Sequence, residues 1–226
     1  MGKPPISDAA MRKMYDTMKS LRQARRDAAT WKGVPRDAKA AAMAEPESLL
    51  AGIVSQLHRR DTIVSAGELP LLNTAIASYF PVAVSSLHSV SCGGTDEECA
   101  SVAAGMALRS LDPARDPKPV TVALLQSFPA LLGTLQLMES NDIPLLIVVK
   151  GDAEPRAATE KRMKSTQIPI LPVDAGDAVA VCRVIQESIL KARNGWGGAI
   201  IHAIAMPGPS DAVAGMEERL RARGLL

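Results

Sequence analysis

Two short apolar runs, Val120-Thr-Val-Ala-Leu-Leu125 and Ile143-Pro-Leu-Leu-Ile-Val-Val149, stand about one helix apart, and this arrangement narrows the folds open to the chain more than any other stretch. Each run is too short for a helix and rich in branched residues, so the unit reads as strand, helix, strand. Strands joined in this way pair in parallel, and a parallel sheet must be covered by helices on both faces. In open sheets of that kind ligands gather at the carboxyl ends of the strands. Function is therefore sought first at Gln126-Ser127-Phe128 and at Lys150-Gly151-Asp152, which follow the two runs.

The rest of the chain fits around this unit. Ser7 to about Thr30 is helical, with Ser7 or Asp8 as cap and Met11, Met14, Met18 and Leu21 at helical spacing. Its other face carries Arg12, Lys13, Lys19, Arg22, Arg25 and Arg26, and the plainer reading is a solvated face beside a core or subunit contact. Trp31-Lys-Gly-Val-Pro35 breaks the pattern, and a second, Ala-rich helix is expected over 37–43. A helix from near Pro46 through His58 would turn Leu49, Leu50, Ile53, Val54 and Leu57 inward. Thr62-Ile-Val64 reads as a strand, 69–79 as a helix with Pro70 in its first turn, and 81–90 as a β-rich or irregular connection.

A helix to about Leu111 opens after Cys92-Gly-Gly-Thr-Asp-Glu-Glu98. The paired glycines raise the question of an anion cradle. Thr95 and Glu98, however, have capping-box spacing, and Asp96, Glu97 and Glu98 already bring negative charge to the positive end of the helix. A phosphate would be repelled there, so Gly93-Gly94 is read as a turn. Farther on, 157–164 reads as a short helix and Ile168 to Val173 as an extended segment kept out of helix by its prolines. Asp177 to Arg193 is the clearest helix, ended by Gly195-Trp-Gly-Gly198. Ala199 to Ile204 is a strand, and a polar terminal helix starts at Met216. The expected architecture is α/β: a single domain over 1–226, with an N-terminal helical extension (1–45), a mostly parallel sheet with flanking helices (46–205) and a tail helix (206–226).

Several function classes drop out on charge and pattern. Lys+Arg 26 against Asp+Glu 24 gives a net charge of +2, too small to draw the chain to nucleic acid or an anionic membrane. No apolar run approaches the roughly eighteen residues of a membrane span, and the first residues lack the apolar stretch of a secretion signal. A cytoplasmic location is expected. Cys92, Cys99 and Cys182 fit neither a disulfide framework nor a zinc site. His58, His88 and His202, placed on a helix end, in a connection and in a strand, have no suitably spaced Asp, Glu or Cys. Phosphate-loop, dinucleotide and nucleophile-elbow motifs are absent from the sequence.

Val173-Asp-Ala-Gly-Asp-Ala-Val-Ala-Val181 and Lys191-Ala-Arg-Asn-Gly-Trp-Gly-Gly-Ala-Ile-Ile-His202 together resemble the C-terminal part of the alpha subunits of thiamine-diphosphate-dependent 2-oxo acid dehydrogenases. Ala103-Ala-Gly-Met-Ala-Leu108 is similar to the small-residue helix before that family's cofactor strand, Val120 to Leu125 to the strand itself, and Met14-Tyr15, Met18 and Arg22 to its first helix. The resemblance spans most of a chain that is shorter than typical members. It implies a thiamine-diphosphate-binding fold, thiamine diphosphate and magnesium as cofactors if the activity is retained, and a partner in the form of a second copy or a beta-like subunit.

The family's chemistry does not carry over position by position. Where the family has Gly-Asp-Gly after the central strand, to approach the diphosphate and ligate magnesium, this chain has Gln126, Ser127 and Phe128. Where the family closes the motif with Asn-Asn, it has Gly151 and Asp152. The family's Tyr-Arg pair and following His fall on Gly67, Glu68 and Pro70, and its active-site loop falls on Pro207 and Gly208-Pro209-Ser210. A Glu in place of an Arg turns attraction for the diphosphate into repulsion. The first reading is a degenerate alpha-like subunit with no catalytic residues or metal site of its own, acting structurally or in regulation. Gln126, Ser127 and Asp152 then mark vestigial cofactor positions. Two alternatives stay open: an active dehydrogenase or decarboxylase subunit completed by a partner through Ser127 and Asp152, and a small-molecule binding protein that uses the strand-end crevice. The interface is expected at Phe128, Leu131 and Leu132 and on the Met-rich face of the first helix.

Overall fold

The computed structural model describes residues 6–28, 36, 46–67, 70–80, 87–112, 117–128, 132–151, 165–204 and 211–226. The helices expected over 37–43 and 157–164, together with Glu68, Asp152, Pro207 and Gly208-Pro209-Ser210, lie outside the described residues. In chain order the elements are α1 (Asp8–Asp27), α2 (Glu47–Val54), β1 (Thr62–Ala66), α3 (Pro70–Tyr79), β2 (His88–Cys92), α4 (Asp96–Leu108), β3 (Thr121–Leu125), α5 (Leu132–Asn141), β4 (Leu145–Lys150), β5 (Ile170–Asp174), α6 (Ala178–Arg193), β6 (Ala199–Ile204) and α7 (Ala212–Ala222). The strands form one sheet in the order β2-β1-β3-β4-β6-β5, every pair parallel. The two apolar runs are direct neighbours, Thr121 opposite Leu145 and Leu125 opposite Val149.

Alternation along the strands divides the interior into two cores. Ile63, Val122, Leu124, Leu146, Val148 and Ile201 face one way, against α2, α3 and α6. Val64, Ala123, Leu125, Ile147, Val149 and Ile200 face the other, against α4 and α5. Helix α4 meets the sheet through Cys99, Ala100, Ala103, Ala104 and Ala107, side chains small enough to bring its backbone close. Outside α2 and α6 lies a third layer, where Met11, Met14 and Met18 of α1 pack with Ala51, Ala178, Cys182 and the Val213, Met216 and Leu220 of α7.

That layer changes the sequence-based picture in three ways. The Met-rich face of α1, expected at a subunit interface, is buried within the chain itself (Met11 2%, Met14 and Met18 0% exposed). Burying such a side chain contributes roughly 1.5–3 kcal/mol, and this holds α1 to the body of the protein. The opposite, basic face is not simply solvated: Arg22 and Arg25 both reach Glu47 Oε1, at 3.3 and 3.0 Å, and Arg22 also pairs with Asp211. The tail helix begins at Ala212, capped by Asp211, whose carboxylate accepts from the amides of Val213 and Ala214. It is amphipathic where the sequence from Met216 on reads as polar.

Local chemistry explains the remaining element ends. Ser7 caps α1 and Asp177 caps α6, as their positions predict. Helix α2 stops at Val54, short of His58, because Ser55 turns its hydroxyl back on the Gly52 carbonyl and the amides of Gln56 and Leu57 close tighter, three-residue turns. Leu57 is buried even so. A sixth strand, β2, occupies the end of the expected irregular connection and places His88 at its first position. It is an edge strand, mostly exposed, so its apolar content is low. Pro172 sits within β5, the opposite edge, where one side of the strand needs no donor.

Candidate functional site at the strand ends

The order of the sheet reverses between β1 and β3: the chain leaves β1 for β2 on one side and returns to β3 on the other. A crevice at such a switch point is where ligands bind in open α/β sheets. Helix α4 crosses from β2 to β3, and this path puts its N-terminus over the carboxyl end of β3.

The cap of α4 is built as its spacing predicts. The Thr95 amide donates to Glu98 Oε2 at 2.7 Å and the Glu98 amide donates to Thr95 Oγ1 at 3.3 Å. Gly94 lies against this cap: a Cβ there would lie 1.8 Å from Glu98 Oε2, so a larger residue would have to displace the Glu98 carboxylate. Because Glu98 completes the cap, the Asp96 carboxylate is left to span the gap to the loop after β3. Its Oδ1 accepts from the Gln126 amide at 3.0 Å, and its Oδ2 accepts from the Ser127 amide at 2.8 Å and the Ser127 hydroxyl at 2.7 Å. The structure thus brings two of the sequence-derived site positions, Gln126 and Ser127, onto one internal carboxylate.

Phe128 turns inward and is 9% exposed. Its ring meets the His202 imidazole edge-on, centroids 4.8 Å apart, so the residue expected to need cover from a partner is covered by β6. His202 Nε2 lies 3.2 Å from the Gly151 carbonyl oxygen. A carbonyl only accepts, so the proton sits on Nε2. This imidazole belongs to the strand-end group, a placement that the sequence reading missed. The visible signal was its position late in an apolar strand, next to the turn that ends β4.

Lys150 closes β4, and burial lowers its ammonium from the ordinary lysine value to about 7. Gly151 then takes φ 118°, a backbone region that favours glycine. At the end of β1, Gly67 (φ 79°) donates its amide to the Cys92 carbonyl, and Ser65 Oγ donates to the Gly67 carbonyl at 3.0 Å. Among the described residues no group of three His, Cys, Asp or Glu side chains is placed to hold a metal ion. Ser127 has no imidazole beside its hydroxyl; it donates to a carboxylate, an arrangement that orients a loop rather than activating a nucleophile.

No family model matches the chain, and no curated protein sequence matches it. Solved structures do. A candidate thiamin diphosphate-dependent enzyme from Mycobacterium smegmatis superposes with a TM-score of 0.51 at 11% identity, over 73% of this chain and 32% of that one. A transketolase mutant from Pichia stipitis gives 0.52 at 13% identity, over 87% and 36%. A transketolase from Campylobacter jejuni gives 0.51 at 11% identity, over 85% and 37%. The chain spans about a third of the length of each of these neighbours, and at such identities the likeness is one of fold. The parallel sheet between two helical layers is therefore a thiamine-diphosphate-binding-like α/β fold.

Proposed function

We propose that this chain is a degenerate, alpha-like subunit of the thiamine-diphosphate-dependent dehydrogenase kind, which keeps the cofactor fold, does not bind the cofactor by itself and acts structurally or in regulation. The observation that supports this reading is the Asp96 carboxylate on the amides of Gln126 and Ser127. Free amides at this edge would face an anionic ligand, but these already hold an internal anion. A diphosphate brought there would meet a like charge and would have to displace three hydrogen bonds. Gln126, Ser127 and Phe128 offer no carboxylate for magnesium, and Phe128 fills space against His202. The described residues of this edge do not fit a metal-bound diphosphate, so no catalytic step is assigned to one.

The same reading includes an oligomer, formed with a second copy or with a beta-like subunit. A chain that spans about a third of its fold neighbours would supply one sheet of a larger assembly. The test is reconstruction of the site: Asp96→Asn with Gln126→Gly, Ser127→Asp and Phe128→Gly. Magnesium-dependent binding of thiamine diphosphate gained by this variant, and absent from the unsubstituted chain, is the expected result. Equal binding by both chains would contradict the reading.

A further inference from the structure

The amino ends of β1 and β2 carry a second site of different character. A cavity of about 770 Å³ opens there, bordered by Arg59, Arg60, His88 and Arg109, with Val90 and Met106 forming an apolar side. It lies at the far end of the strands from Gln126 and Ser127: five residues of β1 separate the two edges, roughly 13 Å at the rise of a strand. Among the described residues that line it there is no carboxylate. An adjoining hollow of about 270 Å³ shares Arg59 and Arg60 and adds Lys118.

The fold holds this cluster in place. Asp61, 1% exposed, accepts from the amides of His58 at 2.7 Å and Val120 at 2.8 Å and pairs with Arg193. That buried carboxylate pins the Arg59-Arg60 turn to the start of β3, and its own charge is matched by Arg193, not by the two arginines beside it in sequence. Arg109 arrives from the other side, where α4 runs into a short 3-10 turn over Arg109–Leu111. Three arginines border one concavity. Planar guanidinium groups pair bidentately with phosphate oxygens, and the apolar side gives an organic group a surface to rest on.

We infer that this cavity binds an organic phosphate, with the phosphate oxygens on Arg59, Arg60 and Arg109 and the organic part against Val90 and Met106. The inference does not rest on the fate of the strand-end site. Adenosine diphosphate and inorganic pyrophosphate serve as probes, titrated calorimetrically into the full chain, with isotope-labelled methionine methyl groups followed by NMR. Saturable binding of adenosine diphosphate, tighter than that of pyrophosphate, is expected to move the Met106 methyl signal. The variant Arg59→Ala/Arg109→Ala, which alters two exposed side chains, should keep its melting profile and bind at least about tenfold more weakly. Arg59→Lys/Arg109→Lys should fall between the two. Lack of heat with either probe at millimolar concentration, unchanged affinity in the alanine variant, or a shift confined to Met138, which packs beside Gly198 and Leu145 away from this cavity, would overturn it.

Discussion

Asp96 and Glu98 sit two positions apart at the start of α4 and serve different partners. Glu98 closes the helix cap, a bond whose spacing the sequence states outright. Asp96 reaches residues thirty positions downstream, and nothing local in the sequence announces that contact. It depends on the crossover that brings α4 above β3. Replacing Asp96 with Ala is expected to destabilise the protein by about 1–3 kcal/mol in urea unfolding, since two amides and a hydroxyl lose their acceptor. Ser127→Ala removes only one of the three bonds and should destabilise by about 1 kcal/mol or less. Equal effects would mean that the amide contacts contribute nothing. Lys150 provides a pH test at the same edge. Burial lowers its folded value to about 7, whereas an unfolded lysine titrates near 10.4. Between these values the unfolded chain binds more protons, so stability contributed by this site rises as pH increases from about 7 to about 10 and is lowest below 7. Lys150→Met should flatten that slope in thermal melts taken across the window. A variant with the wild-type slope would show that the ammonium is solvated.

Elements with strong period and a cap were legible, and those shaped by neighbours were less so. Helices α1 and α6 begin at the caps that the sequence marks, and β3 and β4 pair as their apolar runs require. Strand β2 escaped because it lies on an edge: Ser89 and Ser91 face solvent, and the β signal in His-Ser-Val-Ser-Cys is thin. The start of α7 escaped because Asp211 caps Ala212 beyond a Pro-Gly-Pro stretch that reads as loop. Close backbone approach gives another test. A Cβ added at Gly198 would lie 1.9 Å from the Leu145 carbonyl oxygen, where β6 enters beside β4 and neither backbone has room to yield. Gly198→Ala is expected to destabilise by about 2 kcal/mol or more, lowering the melting temperature. Gly105→Ala, with open space around the added carbon and a helical position, should be neutral or slightly stabilising. A reversal of that order would contradict the packing of β6 on β4.

For the molecule as a whole, alternation of strands and helices indicated a parallel sheet, but the strand order was not legible. The order arises from crossovers whose direction is set by strand twist and helix packing, not by any one residue. The strand-end site was legible as a location: Gln126 and Ser127 lie at the switch point, while Asp152 falls outside the described residues. What occupies that location was not legible, because the carboxylate on the two amides comes from another element. An oligomeric assembly is expected, and light scattering at micromolar concentration should give a mass above the 23.9 kDa of one chain, or co-purification should yield a larger beta-like partner. A lone monomer in both would count against the proposed assembly. The central claim is that the fold persists with its diphosphate position taken by Asp96, and calorimetric titration of the unsubstituted chain with thiamine diphosphate and magnesium tests it most directly. The account predicts no magnesium-dependent binding heat, and saturable binding that requires magnesium would contradict it.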